Sequence, residues 1–278
     1  MVDRFGRRLA DLRVSVTDRC NFRCTYCMPR ELFGAAHPFL ERSLILSFEE
    51  IERLTGLLVG LGVRKIRLTG GEPLLRRDLP ELIRRLAKLG CDLALTTNGT
   101  LLRDQAAALY AAGLERLTVS LDSLDPATFR KINDTASGPQ EVLAGIAAAQ
   151  RAGFERIKIN AVIRRGVNED GILDLVEQFR GSSSILRFIE FMDVGHTNGW
   201  RLAEVVSAAE ILATIAARHP LEPVSASYRG EVAKRYRFRD GGGEIGLIAS
   251  VSQPFCGDCT RHRLSADGKL FTCLFGEL

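Results

Sequence analysis

Short apolar runs alternate with longer amphipathic stretches over roughly the first 190 residues of the chain. The runs have the length and period of β-strands, and the stretches between them have the 3.6-residue period of helices. We predict strands at residues 12–17, 65–69, 92–97, 116–120, 156–163 and 185–192. Helices are predicted between them, the first opening with Ser47 and Glu50 at the spacing of a capping box.

This alternation predicts a parallel sheet with helical crossovers. Right-handed crossovers that keep adding strands on one side curl such a sheet into a barrel or part of one. We therefore predict an α/β fold, a partial (β/α)6 TIM-type barrel, two units short of a complete barrel. A doubly wound open sheet is the alternative, although no Gly-x-Gly-x-x-Gly turn follows the first strand.

The pattern changes after residue 200. One helix is predicted at about 207–218, and two strands at 234–239 and 244–249 are joined by Asp240-Gly-Gly-Gly243. The chain then continues into a cysteine-rich end. We predict two domains, a barrel at residues 1–200 and a C-terminal extension at residues 201–278.

Composition narrows the class of protein. Charged residues make up 26% of the chain and hydrophobic residues 46%, as in ordinary globular proteins. The net charge of +4 is too small to indicate nucleic-acid binding. No apolar run approaches the ~20 residues of a membrane span, and the N-terminus lacks the apolar core of a signal peptide. We expect a cytoplasmic protein with no membrane partner.

Six of the seven cysteines form two triplets, Cys20, Cys24, Cys27 and Cys256, Cys259, Cys273. Cytosolic chains rarely use structural disulfides, so metal binding is favoured. Three thiolates are one short of the four that close a zinc or iron–sulfur site. Either a distant residue completes each site, as in a zinc knuckle, or one metal position stays open for chemistry. For the second triplet His262 is the candidate fourth ligand, but it lies between two arginines, which favour an anion over a dication.

Polar residues collect where the predicted strands end. Gly70-Gly-Glu-Pro73 follows the second strand, Asn98 the third and Asp122 the fourth, while Glu190 lies near the end of the sixth. The carboxyl ends of parallel strands form one rim of a barrel, where sites are built. Basic residues lie within strands, where charge is disfavoured, and we expect them in the barrel interior or in ion pairs. These residues are Arg13, Lys65, Arg67, Lys158 and Arg187.

The segment Cys20-Asn-Phe-Arg-Cys24-Thr-Tyr-Cys27 resembles the signature of the radical S-adenosylmethionine (SAM) enzymes. In that family three cysteines hold a [4Fe–4S] cluster, and the fourth iron binds SAM. Gly70-Gly-Glu-Pro73 resembles the motif whose backbone meets the methionine amino group. The resemblance implies that the SAM site is lined by Tyr26, Gly71, Ser120 and Met192.

With the second triplet, the similarity extends over about residues 5–277 and is to the GTP 3′,8-cyclases of molybdenum cofactor biosynthesis. Its motifs lie at residues 18–29, 67–73, 95–99, 119–122, 187–195 and 264–270. The resemblance implies a second [4Fe–4S] cluster on Cys256, Cys259 and Cys273, whose open iron holds guanine. It implies that the GTP-binding residues are Arg13, Arg67, Thr96, Lys158, Arg261, His262 and Arg263. Lys65 and Arg187 are further candidates.

In the reaction that the resemblance implies, the clusters and SAM supply the chemistry, and no side chain acts as a catalytic residue. A 5′-deoxyadenosyl radical from SAM removes hydrogen from C3′ of GTP, and the ribose radical attacks C8 of guanine. Reduction of the resulting radical by one electron, with uptake of a proton, gives 3′,8-cyclo-7,8-dihydro-GTP. The implied partners are cyclic pyranopterin monophosphate synthase downstream and an electron donor such as flavodoxin or ferredoxin. A homodimer is also expected.

Two departures from the family pattern bear on activity. Family members typically end in a tail with two glycines, whereas this chain ends at Leu278, so we expect both clusters to bind and turnover to be impaired. Residues 225–234 match the family poorly and receive no role. Two alternatives stay open: a radical SAM enzyme that modifies peptides with an auxiliary cluster, and a zinc-binding interaction module.

Overall fold

A computed structural model describes residues 3–194, 199–228 and 230–276. Within these residues the strands are β1 Asp11–Ser15, β2 Lys65–Thr69, β3 Asp92–Thr97, β4 Arg116–Ser120, β5 Lys158–Ile163, β6 Ile185–Glu190, β7 Leu221–Val224, β8 Lys234–Phe238, β9 Glu244–Ile248, β10 Arg261–Leu264 and β11 Leu270–Phe271. The helices are α1 Arg30–Phe33, α2 Phe48–Gly60, α3 Leu79–Ala87, α4 Leu102–Ala111, α5 Pro126–Asn133, α6 Pro139–Ala152, α7 Ile172–Phe179 and α8 Ala208–Ala216.

All strands join one sheet in the order β11-β10-β1-β2-β3-β4-β5-β6-β9-β8-β7. The strands from β10 to β9 in this order run parallel, and β11, β8 and β7 pair antiparallel at the two edges. The sheet does not close, since β11 and β7 do not pair. The predicted partial barrel is confirmed, and strands after residue 200 extend it on both sides.

Alternation along the central strands separates an apolar face from a polar one. In β1, Leu12 and Val14 are fully buried and belong to the same core cluster as Ile83 of α3. Arg13 lies between them and is only partly buried. Because successive side chains of a strand point to opposite faces, Arg13 points to the inner face, away from the helix layer.

Glu190, at the end of β6, ties the C-terminal extension to the barrel. Its side chain is 1% exposed. It accepts hydrogen bonds from the backbone N–H groups of Ala208 (2.7 Å), Val251 (2.7 Å) and Ser252 (2.8 Å). One carboxylate thus fixes the start of α8 and the segment after β9.

The predicted strands and helices of the barrel are present, with shifted ends. The fifth strand begins at Lys158 and the sixth ends at Glu190. The capping box of Ser47 and Glu50 opens α2 as predicted. The strands β7, β10 and β11 were not predicted, because two to four residues are too few for a period to show. No helix of the described residues is long and apolar enough to span a membrane.

Replacing Glu190 with alanine tests its anchoring role. Glu190→Ala leaves buried backbone donors without an acceptor, so we expect the free energy of unfolding to fall by about 3 kcal/mol. Thermal unfolding measures this loss. Glu222→Ala, on the exposed strand β7, is the control and should stay within about 0.5 kcal/mol of the parent. Equal melting temperatures for the two variants would contradict the anchoring role.

Candidate functional site

The two cysteine triplets lie at opposite ends of the parallel strands. Cys20 and its neighbours follow β1, whereas Cys256 and Cys259 precede β10, which runs parallel to β1. Cys273 follows β11, which returns antiparallel to the end where β10 began. At about 3.3 Å per residue, a five-residue strand separates the two ends by ~15 Å.

The first cysteine loop is hydrogen-bonded to the turn after β2. The backbone N–H groups of Gly71 and Glu72 donate to the carbonyls of Thr17 and Arg19, each at 2.8 Å. A Cβ on Gly71 would lie 2.2 Å from the carbonyl oxygen of Arg19. Gly71 is therefore required by close backbone packing against the loop, a reason independent of any SAM contact.

The three thiols of this loop influence one another. Burial, followed by the Cys20 thiolate, raises the pKa of Cys27 to about 11. Burial also raises the pKa of Cys20, and it raises that of Cys24 well above its usual value, with Asp122, Cys27 and Cys20 adding to the shift. Thiolates that repel one another in a partly buried loop fit a bound cationic iron core, because metal ligation deprotonates them and offsets their charge.

A polar network supports this rim of the barrel. Glu72 is buried and accepts hydrogen bonds from Thr97 Oγ1 and from the backbone N–H of Asn98, each at 2.7 Å. Burial raises the pKa of Glu72 despite these bonds. Asn98 Nδ2 then donates to Asn21 Oδ1 within the cysteine loop at 2.7 Å. The ends of β2 and β3 thus fix the loop.

The residues expected at the SAM site lie on the same rim. Tyr26 donates its hydroxyl hydrogen to Asp122 Oδ2 at 2.8 Å, and burial raises the pKa of Tyr26 well above its usual value. Burial also raises the pKa of Asp122, to about 6. Ser120 ends β4, and Met192 follows β6; both are partly buried. Asp122 was not predicted as a site residue, although its place after β4 was noted.

Cations line up across the inner face of the sheet. Arg263, Arg13 and Arg67 are register partners on β10, β1 and β2. Burial, followed by the charges of Arg263, Arg261 and Arg67, lowers the pKa of Arg13 to about 9. Arg13 and Arg263 have no hydrogen-bond acceptor among the described residues. Partly buried cations that lack acceptors are costly, so this row indicates an anionic ligand.

Arg67 and Lys158 meet a polar row on the neighbouring strands. Arg67 Nη1 donates to Thr96 Oγ1 at 2.9 Å and to Thr118 Oγ1 at 3.0 Å. Thr96, Thr118 and Lys158 are register partners on β3, β4 and β5. Burial, followed by the charge of Arg187, lowers the pKa of Lys158 to about 7. Its ammonium group also has no acceptor within the described part of the chain.

Two of the strand cations lie at one end of the barrel interior. Lys158 begins β5 and Lys65 begins β2, so both lie at the amino ends of their strands, away from the carboxyl rim. Lys65 pairs with Asp92 at 3.4 Å. Arg187 Nε donates to Asn160 Oδ1 at 3.0 Å. The inner face is therefore polar from one end of the strands to the other.

A cavity of about 600 Å³ opens at these amino ends. The barrel contributes Arg67, Lys158 and Arg187, and the segment 225–234 contributes Tyr228 and other residues. The Lys65 ammonium lies 5.4 Å from the centre of the Tyr228 ring. No role is predicted for this segment from its sequence, because no local signal in it indicates one. Arg229 of this segment and the motif residue Gly195 lie outside the described residues.

The second triplet lies beside β10. Arg261 Nε donates to Cys259 Sγ at 3.3 Å. Arg263 Nε and His262 Nδ1 are buried without a hydrogen-bond partner within the described segments. Burial lowers the pKa of His262. His262 is the register partner of Leu12, so its ring lies on the face opposite to Arg261 and Arg263. The structure does not bring this ring to the cation row.

Each triplet fits three-cysteine ligation of a cluster. The thiols of the first triplet come from one loop, and the Asn98 side chain interacts with the sulfur of Cys20. The thiols of the second triplet come from one hairpin and the loop before it, and Arg261 interacts with the sulfur of Cys259. Within residues 3–194, 199–228 and 230–276, no three His, Cys, Asp or Glu side chains are arranged to hold a single metal ion.

Comparisons with known proteins agree with this geometry. Residues 14–179 match the model of the Radical SAM superfamily, and residues 184–278 match Molybdenum Cofactor Synthesis C. The chain is 60% identical to the GTP 3′,8-cyclase of Acidothermus cellulolyticus, over 98% of this chain and 76% of the relative. It is 57% identical to the GTP 3′,8-cyclase of Xanthomonas axonopodis pv. citri, over 100% of this chain and 83% of the relative.

Solved structures share the fold at low identity. Streptococcus suis SuiB bound to precursor peptide SuiA superposes with a TM-score of 0.71 at 15% identity, covering 96% of this chain. This chain spans 60% of the length of SuiB. Methylornithine synthase (PylB) superposes with a TM-score of 0.57 at 17% identity, over 76% of this chain and 63% of that chain. These structures support the fold alone.

A methyl group at Gly71 tests the packing of the first cysteine loop. Gly71→Ala places a Cβ against the Arg19 carbonyl, so the loop must shift. We expect SAM affinity to fall at least about tenfold, with a loss of stability of about 1–3 kcal/mol. Iron analysis and isothermal titration with SAM measure the effects. Gly60→Ala in α2, where a Cβ meets nothing within 4 Å, is the control. Unchanged SAM affinity in Gly71→Ala would contradict the packing role.

Proposed function

The chain belongs to the GTP 3′,8-cyclase family of radical SAM enzymes, and from this premise we propose how its residues act on GTP. The enzyme is a lyase of molybdenum cofactor biosynthesis that forms 3′,8-cyclo-7,8-dihydro-GTP. Its cofactors are SAM and two [4Fe–4S] clusters. The relatives support this reaction and give no support to the peptide-modifying alternative.

One observation carries the assignment of the substrate site. Arg13, Lys158 and Arg263 are partly buried cations without acceptors among the described residues, and their side chains face one inner surface. A triphosphate supplies several anionic oxygens that can offset such charges at once. Arg67 and Thr96 already bond to each other and continue this surface. We place the triphosphate here.

The base is placed next to the second triplet. Arg261 and Arg263 precede and follow His262 on β10, between the cysteines and Arg13. We propose that the two guanidinium groups bind the nucleotide from the inner face and that His262 contributes through its main chain. Lys65 and Arg187 flank the triphosphate as further cations.

The clusters are assigned to the two triplets. Cys20, Cys24 and Cys27 hold the first, and Cys256, Cys259 and Cys273 hold the second. When bound, the first cluster supplies the electron that cleaves SAM, and the resulting 5′-deoxyadenosyl radical removes hydrogen from C3′ of GTP. Tyr26, Gly71, Ser120 and Met192 surround the SAM site on the carboxyl rim. Tyr26 is held by Asp122, which fixes the orientation of its ring.

The chain also limits access to water. A ribose radical must meet few stray hydrogen donors, so the site has to be enclosed. Ser227, Tyr228, Glu231 and Ala233 line the amino-end cavity, and the Tyr228 ring lies beside the Lys65 ammonium. If the chain is divided at residue 200, as predicted, these lining residues and the second triplet both belong to the C-terminal extension.

The remaining partners follow from the family. We propose that cyclic pyranopterin monophosphate synthase uses the product, that flavodoxin or ferredoxin supplies electrons, and that the enzyme acts as a cytoplasmic homodimer. Co-elution with each candidate partner and the mass of the chain in solution are the direct measurements.

The lowered pKa of Lys158 predicts a pH-dependent affinity for GTP. Below about pH 7 the ammonium is charged and attracts the triphosphate, and above it the neutral amine does not. We expect affinity to fall about tenfold from pH 6 to pH 8. Equilibrium binding to the reconstituted protein measures it.

Lys158→Arg keeps the charge throughout this range. It should bind GTP at pH 8 nearly as well as at pH 6, whereas Lys158→Met should bind weakly at both. If the affinity of Lys158→Arg for GTP fell between pH 6 and pH 8 as much as that of the parent, another group would cause the pH dependence.

SAM cleavage with and without nucleotide tests the reaction. The protein is reconstituted anaerobically with iron and sulfide, reduced and mixed with SAM, and 5′-deoxyadenosine is measured. We expect GTP to increase cleavage several-fold and a cyclised nucleotide to appear, while ATP, with the same triphosphate, does neither. Cys24→Ala should abolish cleavage. Cleavage that is indifferent to GTP, with no nucleotide product, would remove GTP as the substrate.

A further inference from the structure

The first described residues lie against the second cysteine triplet, at the other end of the sequence. Arg7 Nη1 donates a hydrogen bond to the backbone carbonyl of Cys256 at 3.0 Å. Leu9, two residues on, is buried in the core, and the backbone N–H of Asp11 donates to the Thr260 carbonyl at 3.1 Å. The start of the chain is thus fixed beside the cysteine loop.

A carboxylate holds the Arg7 side chain in place. Asp3 Oδ2 accepts from Arg7 Nε at 2.7 Å and lies 2.7 Å from Arg7 Nη2. Asp3 Oδ1 accepts from the backbone N–H groups of Phe5 and Arg7, each at 2.9 Å. A two-point ion pair orients a guanidinium group more strictly than a single contact. Nη1 remains to bond Cys256.

Arg7 also brings a positive charge close to the second triplet, since its guanidinium group bonds to the main chain of Cys256. Its side chain is 26% exposed, so solvent only partly screens this charge. Arg261 reaches the sulfur of Cys259, whereas Arg7 bonds to the Cys256 carbonyl.

We propose that Arg7, oriented by Asp3, is a positioning residue for the second iron–sulfur cluster that also raises its reduction potential. The inference rests on the proposed binding of a cluster by Cys256, Cys259 and Cys273. A hydrogen bond from Arg7 to the main chain of one ligand fixes the loop. A nearby positive charge favours the reduced cluster, which carries one more electron, and so makes reduction easier.

Arg7→Gln and Arg4→Gln form a matched pair. Both remove one positive charge from the same loop, but Arg4 is exposed and lies over the Phe5 ring, with no bond to the triplet. Each is made in the full chain with Cys20, Cys24 and Cys27 replaced by alanine, so that only the second cluster binds. Iron content and a redox titration followed by electron paramagnetic resonance give the occupancy and the potential.

We expect Arg7→Gln to shift the reduction equilibrium about tenfold toward the oxidised cluster, a fall of about 59 mV for one electron. Arg4→Gln should shift it less than about twofold, or ~18 mV. Asp3→Asn keeps the charge of Arg7 and removes a carboxylate, so it should not lower the potential. Its loss of Arg7 positioning should appear as a lower iron content than in the parent. Loss of iron in Arg7→Gln alone would also support the positioning role.

Equal potentials in the two glutamine variants, at equal iron content, would overturn the role of Arg7 and leave the cluster assignment intact. The background protein, in which Cys20, Cys24 and Cys27 are alanine, should itself bind iron. If it binds none, both the cluster assignment and the inference built on it are overturned.

Discussion

Repulsion among buried cations is the constraint that governs the inner face of this barrel. Arg263, Arg13 and Arg67 lie side by side on three strands, where like charges directly opposite one another destabilise a sheet. Hydrogen bonds to neighbouring side chains relieve only part of this repulsion. Arg67 donates to two threonine hydroxyls, whereas Arg13 has no hydrogen-bond acceptor within the described residues. The apolar helix layer behind the strands offsets the cost, and a polyanionic substrate reduces it. Stability and substrate affinity therefore oppose each other at these positions.

The first cysteine loop is held by both apolar packing and backbone hydrogen bonds. Phe22 of this loop lies in the core against Phe129. Backbone bonds from Gly71 and Glu72 add to this packing, and position 71 needs glycine because a Cβ there would meet the Arg19 carbonyl. Glu72 and Asp122 add buried carboxylates that accept several donors each. Such bonds are directional, so the rim is fixed more strictly than apolar packing alone would allow.

The strands of the barrel could be predicted from the sequence, because buried parallel strands show a clear local pattern of apolar residues. It also located both triplets and most inner-face cations, since a charge such as Arg13 inside an apolar strand has few structural explanations. It missed β10, whose four residues become a strand only through pairing with β1. It also missed the contact of Arg7 with Cys256, because no local pattern links residues so distant along the chain.

The placement of β10 explains why the proposed substrate residues lie away from the usual rim. Sites in parallel barrels occupy the carboxyl ends of the strands, where the connecting loops are free to vary. Here that rim is occupied by the first cysteine loop and its supporting carboxylates. A strand added parallel to β1 brings the second triplet to the amino ends, and Ser227, Tyr228, Glu231 and Ala233 line the cavity there. The length of β1 then sets the distance between the two triplets, and in the proposed arrangement the nucleotide spans the interior between them.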